Sequence, residues 1–446
     1  MQTPFKKDPV DVWVVDPIKG FIHNSSASGV ILFGAAVVAL LWSNSPWHEY
    51  YHHLWETPIS ISIGESFVLN KSLHHWINDG LVSIFFFVIG LELKREIIAG
   101  ELRNPRQALL PLAAAMGGMI LPALIYIIIN PTSPDIDGWG IPMATDIAFA
   151  LGVLYLLGDK VPIMLKVFLT TLAIADDLGA VLVIAFFYTS EIDVVSLYVG
   201  GVVLIMLITA NQLGVRHSLF YAIIGIGGLW LTFLLSGIHP TIAAVLVAFT
   251  IPASTKVSSL NFSGLLSSLL SQFKKAKTIE DAPIVSNERL KIVKKIRKVS
   301  KMAVTPLQRL EQSMHPFVAF IVMPIFALSN AGVYLGDFTF SQLLSNVPLG
   351  ILLGLVIGKV AGIFLMVKLL QKFGVVTNPS ITDQQLLGLG FLAAIGFTMS
   401  LFIADLAFSN PELIAQAKIG ILTASIISAV IGYFLIRKTV MVESSE

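Results

Sequence analysis

Long apolar runs separated by short polar connections dominate the chain. A membrane-spanning helix needs about 20 mostly apolar residues, because it must cross roughly 30 Å of hydrocarbon. Runs of this kind predict twelve spans, at 25–44, 74–98, 106–130, 139–157, 162–190, 193–212, 217–236, 238–256, 314–334, 347–371, 384–408 and 413–437. They are too long for barrel strands, so the predicted fold class is an all-α integral membrane protein.

Two connections have their own pattern. Residues 58–70 alternate apolar and polar side chains, which is typical of a small β-hairpin on the outer side, although an irregular loop fits as well. Residues 289–304 place Ile292, Ile296 and Val299 on one helical face, with basic side chains around them. This pattern predicts either a basic amphipathic helix on the inner leaflet or a solvated linker.

Composition supports the membrane assignment. Only 13% of the residues are charged and 55% are apolar, whereas an ordinary soluble domain has about 25% charged residues. The net charge of +1 gives no sign of a nucleic-acid partner. The absence of cysteine excludes disulfides and thiolate metal sites. The first apolar run lacks a small-x-small cleavage site, so it is interpreted as a span and not as a signal peptide.

The basic residues predict the orientation. With a cytoplasmic N-terminus, 26 of the 29 Lys and Arg residues fall on the cytoplasmic side, and only Lys71 and Lys418 fall outside. Both termini are therefore predicted to be cytoplasmic.

The predicted organisation is an N-terminal tail 1–24, spans 1–2 with the hairpin in 25–105, spans 3–5 in 106–190, spans 6–8 in 191–256, a basic cytoplasmic loop 257–312, span 9 in 313–334, spans 10–12 in 345–437 and a C-terminal tail 438–446.

Four ionisable residues lie in the middle of predicted spans: Asp146, Asp176, Asp177 and Lys359. Each costs several kcal/mol in lipid and is a functional candidate by default. Asp176 and Asp177 are neighbours on one helix and point about 100° apart, so they cannot face one pocket equally. Lys359 is the natural counter-charge. A purely structural ion pair would explain Lys359 and one aspartate, but it would leave two aspartates unpaired.

A buried carboxylate pair suits a hard cation, which prefers oxygen ligands. Burial and a neighbouring negative charge both shift carboxyl titration toward neutral pH. A site that holds either a proton or a cation, but never both, performs exchange, so the sequence predicts a cation/proton antiporter. A proton-coupled carrier of an organic solute is the alternative. No Walker-type nucleotide motif occurs, which argues against an ATP-driven pump.

Two spans contain residues that interrupt helices. Glycine, proline and threonine surround Asp146 in 140–152, and glycines recur in 388–400. Interrupted segments in corresponding halves of a chain indicate an inverted-repeat transporter with its site at mid-membrane. Glycines in spans also occur where two helices simply pack closely.

A series of motifs resembles the NhaA-type bacterial sodium/proton antiporter family. They are WINDG (76–80), GLELKRE (90–96), ATDIAFALG (144–152), ADDLG (175–179), SGIHPT (236–241), PIFALSNAG (324–332), GK (358–359) and GFTMS (396–400). The resemblance implies twelve helices in which spans 3–5 and 10–12 form an inverted repeat, with spans 4 and 11 broken and crossing. It further implies electrogenic, pH-regulated export of sodium or lithium in exchange for protons across the inner membrane, a homodimer through the 58–70 hairpin, and no cofactor or enzymatic activity.

The same resemblance implies residue roles. Asp177 would be the principal cation and proton ligand, and Asp176 its companion, paired with Lys359 in the ion-free state. Thr145 and Asp146 would lie at the helix crossing. A cytoplasmic pH-responsive cluster would contain Glu92, Arg95, Glu311 and His315.

Three features depart from the family pattern. Gln312 stands where a second histidine is expected beside Glu311, the 255–312 connection is longer than usual, and Asp405 is an additional acid.

Overall fold

The computed structural model describes residues 25–63, 67–189, 192–276, 285–336, 340–374 and 381–443. Within these residues, seven helices are long and apolar enough to cross a membrane, and ten spans result if each of three sharply bent helix pairs is counted as one. The protein is therefore a multi-pass, mostly helical membrane protein. The predicted N-terminal tail 1–24 lies outside the described residues.

Seventeen helices occur in the part of the chain that the structure describes. In order they are α1 (Ser25–Ser43), α2 (His48–Glu56), α3 (73–99), α4 (Pro105–Ile129), α5 (Ile147–Tyr155), α6 (Ile163–Phe187), α7 (Val194–Gln212), α8 (Ser218–Ser236), α9 (Pro240–Thr250), α10 (Ser259–Lys275), α11 (Asn287–Ala303), α12 (Pro306–Asn330), α13 (Phe340–Leu343), α14 (Asn346–Lys372), α15 (Asp383–Ala393), α16 (Phe397–Ala407) and α17 (Pro411–Glu443). Short 3₁₀ segments cover Glu101–Arg103, Asp135–Met143 and Gly158–Lys160. Helices α3, α8, α12 and α14 each contain a π-helical turn, at Trp76–Leu81, Gly225–Trp230, Val318–Val322 and Gly354–Lys359.

The predicted hairpin is present. Strands β1 (Pro58–Ile63) and β2 (Phe67–Ser72) pair antiparallel, with Pro58 opposite Ser72. The second strand continues two residues beyond the predicted end, and residues 64–66 lie outside the described residues. The indole N–H of Trp76 donates a hydrogen bond to the Ile59 carbonyl at 3.1 Å. The hairpin is thus attached to the start of α3.

Helices α4 and α14 approach each other through glycine. A Cβ atom on Gly117 would lie 2.3 Å from the Gly362 carbonyl oxygen, and one on Gly358 would lie 2.9 Å from the Pro122 Cα. Real Cβ atoms do not come this close, so only glycine allows the two backbones to touch here. The contact brings the π-helical turn that carries Lys359 against α4.

Two of the three bent pairs in the described residues lie against each other at their breaks. The Asp135–Met143 segment meets α5 at a bend of 41°, and α15 meets α16 at a bend of 46°. The two breaks contact each other, since the Asp146 N–H donates to the Ile395 carbonyl at 2.7 Å and the Ser400 hydroxyl donates to the Ile141 carbonyl at 2.8 Å. Backbone groups freed in a membrane interior must find partners within the protein, and each break supplies partners for the other.

The 257–312 segment contains two packed helices. Ile292 of α11 is buried, and it clusters with Leu269 and Phe273 of α10 and with its own neighbours Ile296 and Val299. The predicted helix at 289–304 is therefore present. Its apolar face is covered by α10, so the interpretation in which this face lies on the inner leaflet was wrong. The amphipathic pattern alone could not distinguish lipid from a second amphipathic helix as the cover.

Candidate ion-binding site

A single carboxylate joins the two helix N-termini at the crossing. Asp146 caps α5, where its Oδ1 accepts a hydrogen bond from the Phe149 N–H at 3.0 Å. Its Oδ2 accepts from the Thr398 N–H of α16 at 3.1 Å, and from the Thr398 hydroxyl. Helix N-termini carry partial positive charge. Asp146 therefore balances two of them at once while it is almost completely buried.

Two hydrogen-bond donors contact the C-terminal carbonyl groups of the helical segments that end at the breaks. The ammonium group of Lys359 donates to the Met143 carbonyl, which ends the Asp135–Met143 segment. The Thr145 hydroxyl oxygen lies 2.7 Å from the Ala393 carbonyl oxygen, which ends α15. The partial negative charge of each C-terminus is thus met by a cation or a hydroxyl group.

Asp176, on α6, connects these groups. Its Oδ2 lies 2.9 Å from the Lys359 Nζ and 2.6 Å from the Thr145 Oγ1, and the Asp176 and Lys359 side chains are both fully buried. The Thr145 hydroxyl carries one hydrogen, so it donates either to Asp176 or to Ala393. The second carboxyl oxygen, Oδ1, has no hydrogen-bond partner among the described residues.

Asp177 follows on the same helix and is only 1% exposed. Its Oδ1 is buried without a hydrogen-bond partner, and no basic group lies within 4 Å of its carboxylate in the described part of the chain. A bare carboxylate in such a place is strongly disfavoured. Asp177 is therefore suited to hold either a proton or a small cation.

The predicted cytoplasmic cluster also comes together, between α3 and α12. One terminal nitrogen of Arg95 forms an ion pair with Glu311, and the other lies 2.8 Å from the Glu96 carboxylate. The His315 Nε2 lies 3.9 Å from a Glu92 carboxylate oxygen. The four predicted residues therefore form two pairs between the same two helices, Arg95 with Glu311 and Glu92 with His315. Glu311 is buried and Arg95 is partly exposed.

Comparison with known proteins identifies the chain's relationships. A family described as Na+/H+ antiporter 1 matches residues 19–436. The chain belongs to this family. A relative named Na(+)/H(+) antiporter NhaA from Wolinella succinogenes is 48% identical over 417 residues, which cover 93% of this chain and 92% of the relative. Relatives with the same name from Oleidesulfovibrio alaskensis and Acidithiobacillus ferrooxidans are each 46% identical, over 96% and 94% of this chain and 95% and 96% of the respective relative. The resemblance stated from the motifs is confirmed.

One residue of the antiporter's candidate site, Thr398, was not predicted from the sequence. Thr398 contacts Asp146 through both its backbone and its hydroxyl group. A signal was available, because Thr398 lies in the 396–400 motif, directly after the glycine at the break in the span.

The antiporter chain also contains a second buried polar network around Asp405, at the end of α16. Asn78 donates to the Asp405 carboxylate at 3.1 Å, and Lys418 and His74 lie 3.6 Å and 3.5 Å from it. Asn330 continues the network by donating to Asn78 at 3.0 Å. The additional acid thus connects α3, α12, α16 and α17, and it is separate from the aspartate pair on α6.

Proposed function

We propose that this protein exports sodium or lithium ions in exchange for protons, with Asp177 as the principal ligand and Asp176 as its companion. The observation that carries the proposal is the buried Oδ1 of Asp177, which has no hydrogen-bond partner among the described residues. The neighbouring Asp176 has an Oδ1 in the same condition. The names of the relatives, Na(+)/H(+) antiporter, support the choice of sodium and protons.

The exchange follows from competition at this pair. The Lys359 ammonium group lies 2.9 Å from the Asp176 carboxylate and compensates its charge. A cation that binds both carboxylates replaces Lys359 as the counter-charge of Asp176, so the ion pair opens. Protons that then bind the two carboxyl groups release the cation. Binding of either species excludes the other, and this couples their opposite movements.

Two carboxyl groups also make the exchange electrogenic. If both bind protons and the pair binds one monovalent cation, one net positive charge enters per cycle. Moving one charge through the membrane potential yields about 2.3 kcal/mol per 100 mV. The membrane potential would therefore drive sodium out even without a pH gradient.

Everted membrane vesicles test the function. Vesicles that contain the protein receive a preformed pH gradient, and then sodium, lithium or choline chloride is added, from mildly acidic to alkaline pH. We expect sodium and lithium to collapse the gradient, and choline to have no effect. Vesicles without the protein give the baseline. No response to either metal ion at any pH would instead favour the alternative, a proton-coupled carrier of an organic solute.

We propose an architecture of twelve spans in which spans 3–5 and 10–12 form an inverted repeat. Helices α3 and α9 would raise the number of spans from ten to twelve. They are not among the ten because α3 contains several charged residues and α9 has only eleven residues. The contact between the two broken spans supports the repeat. Rocking of these crossed segments would expose the aspartate pair to each side in turn.

The absence of cysteine in the natural sequence makes the topology directly testable. We expect Lys71→Cys to react with a membrane-impermeant maleimide from the periplasm of intact cells. Lys274→Cys should react only after the membrane is opened, because the proposed cytoplasmic side contains 257–312 and both termini. Reaction of both variants in intact cells would contradict this orientation.

We propose that the hairpin 58–70 forms the contact of a homodimer. Ile59, Ile61 and Val68 are 41%, 47% and 61% exposed, which is unusual for apolar residues of a two-stranded sheet outside the membrane. We expect a variant with Gly-Ser in place of 58–70 to be monomeric in native mass spectrometry from detergent, whereas the full chain is dimeric. An unchanged dimer would exclude the hairpin as the contact.

The Arg95 cluster is proposed to set the pH response. Arg95 neutralises Glu311 through a direct ion pair, while Glu92, Glu96 and His315 are the other titratable groups of the cluster. A carboxylate that loses its cation keeps a proton at higher pH. For Arg95→Gln we therefore expect the transport profile to shift to higher pH in the vesicle assay.

The matched control for this shift is Arg103→Gln, which removes an exposed arginine from the connection that follows α3. It should leave the profile in place. A profile that is identical in Arg95→Gln and wild type would exclude this cluster from the pH response.

A further inference from the structure

A basic cavity of about 650 Å³ lies between α11 and the ends of α7, α8, α9 and α12. Helix α11 contributes Lys294, Arg297, Lys298 and Lys301 to its wall. These positions are spaced three and four residues apart, so they share one face of the helix. The face lies next to the apolar stripe that packs on α10, so α11 is held with this basic row toward the cavity.

The opposite wall is basic as well. It contains Arg216 before α8, Lys256 after α9 and Arg309 in the first turns of α12. Hydrogen bonds to the carbonyl and hydroxyl groups of Ser254 hold the Arg216 guanidinium in place. The Nε of Arg309 is buried and has no hydrogen-bond partner among the described residues.

No acidic residue of the described part of the chain lines this cavity. Among the described residues, none of its seven Lys and Arg side chains lies within 4 Å of a carboxylate, although four other Lys and Arg side chains of the chain do form ion pairs. Like charges at such close quarters repel one another. A multivalent anion would relieve the repulsion, and Arg and Lys are the usual ligands of phosphate groups.

The volume falls within the range of about 300–1,000 Å³ that is typical of small-molecule sites. Met302, Val304 and Pro306 add an apolar wall beside the basic residues. We propose that this cavity binds a small phosphate-bearing anion, supplied either as a soluble polyphosphate or as the headgroup of an anionic lipid. The site is separate from the aspartate pair, so the proposal does not depend on the proposed transport function.

Bound phosphate would connect two parts of the cytoplasmic face. It would bridge the α11 row to Arg309, which lies two residues before Glu311 of the Arg95 cluster. The ligand would thereby fix the start of α12 relative to α11. The long 257–312 segment would serve as a regulatory element that completes an anion site.

The test uses the full chain in neutral detergent, with inorganic triphosphate as the soluble probe and calorimetric titration as the readout. The variant Lys294→Gln/Lys298→Gln removes two cavity charges. Its matched control, Lys291→Gln/Lys295→Gln, removes two charges from the same exposed helix outside the cavity. We expect wild type and control to bind equally. The cavity variant should bind about 100-fold more weakly, because two charge-assisted contacts are lost and each corresponds to about a factor of ten.

A second arm distinguishes the source of the phosphate. The same three proteins are placed in nanodiscs of phosphatidylcholine, with or without phosphatidylglycerol, and their unfolding temperatures are compared. Triphosphate binding that only the cavity variant weakens supports a soluble ligand. Stabilisation by phosphatidylglycerol that only the cavity variant loses supports a lipid headgroup. If neither probe acts on wild type, or if both double variants respond alike, the proposal is overturned.

Discussion

Asp177→Asn is expected to abolish sodium- and lithium-dependent proton movement in everted vesicles while the protein remains folded. The asparagine amide can neither bind and release a proton at the pH of the assay nor neutralise the charge of a cation. An interaction with a charged group contributes about 1.5–3 kcal/mol, and 1.36 kcal/mol corresponds to a factor of ten in rate. The loss of both roles should therefore lower the transport rate by at least about 100-fold.

The fold should tolerate this change because of the position of the side chain. Asp177 forms no ion pair in the described part of the chain, and its Oδ1 has no hydrogen-bond partner there. Replacing a buried acid by a neutral group of the same shape removes a desolvation cost and leaves no counter-charge behind. The unfolding temperature in detergent should therefore stay equal to that of wild type or rise.

The matched control is Asp193→Asn. Asp193 is an exposed aspartate that caps α7 by accepting hydrogen bonds from the Val195 and Ser196 N–H groups. Asparagine caps helices about as well as aspartate, so this variant should transport like wild type. If Asp177→Asn retained more than half of the wild-type rate, Asp177 could not be the principal ligand.

Much of this site could be predicted from the sequence. Asp176, Asp177 and Lys359 were conspicuous because lipid makes every ionisable group costly, so those that lie mid-span are few. The two broken spans were indicated by glycine and proline near Asp146 and by the glycines of 388–400. These signals can be read from each segment alone, because lipid strongly disfavours charged side chains and unpaired backbone groups.

Long-range pairings could not be predicted in the same way. Thr398 contacts Asp146 across 252 positions, and that contact depends on which two spans cross. Nothing in either segment alone specifies its partner. The Asp405 network has the same character, since it joins side chains of four helices that are distant in sequence.

The partner that packs against the apolar face of α11 could not be predicted from the sequence either. The stripe containing Ile292 predicts a helix with something apolar against it, and a lipid surface and a second helix satisfy that pattern equally. Only the structure shows that Leu269 and Phe273 of α10 fill this role. As a consequence, the basic row of α11 faces a cavity formed by protein.

The ion pair between Asp176 and Lys359 leads to the second large prediction. Both side chains are fully buried, with 2.9 Å between the carboxylate and the ammonium group. Removing one partner of a buried pair typically costs about 3–5 kcal/mol, because the other charge is left uncompensated. We expect Lys359→Met and Asp176→Asn each to lower the free energy of unfolding in detergent by an amount of this order.

The double variant Lys359→Met/Asp176→Asn should recover more than half of that loss, since no uncompensated charge remains in the pair. Transport separates the two interpretations of the pair. If it is only structural, the double variant should regain stability and sodium-dependent proton exchange together. If Asp176 also serves the cation, as we propose, the double variant should regain stability but not exchange. Wild-type exchange rates in the recovered double variant would remove Asp176 from the ion site and leave Asp177 to bind the cation without it.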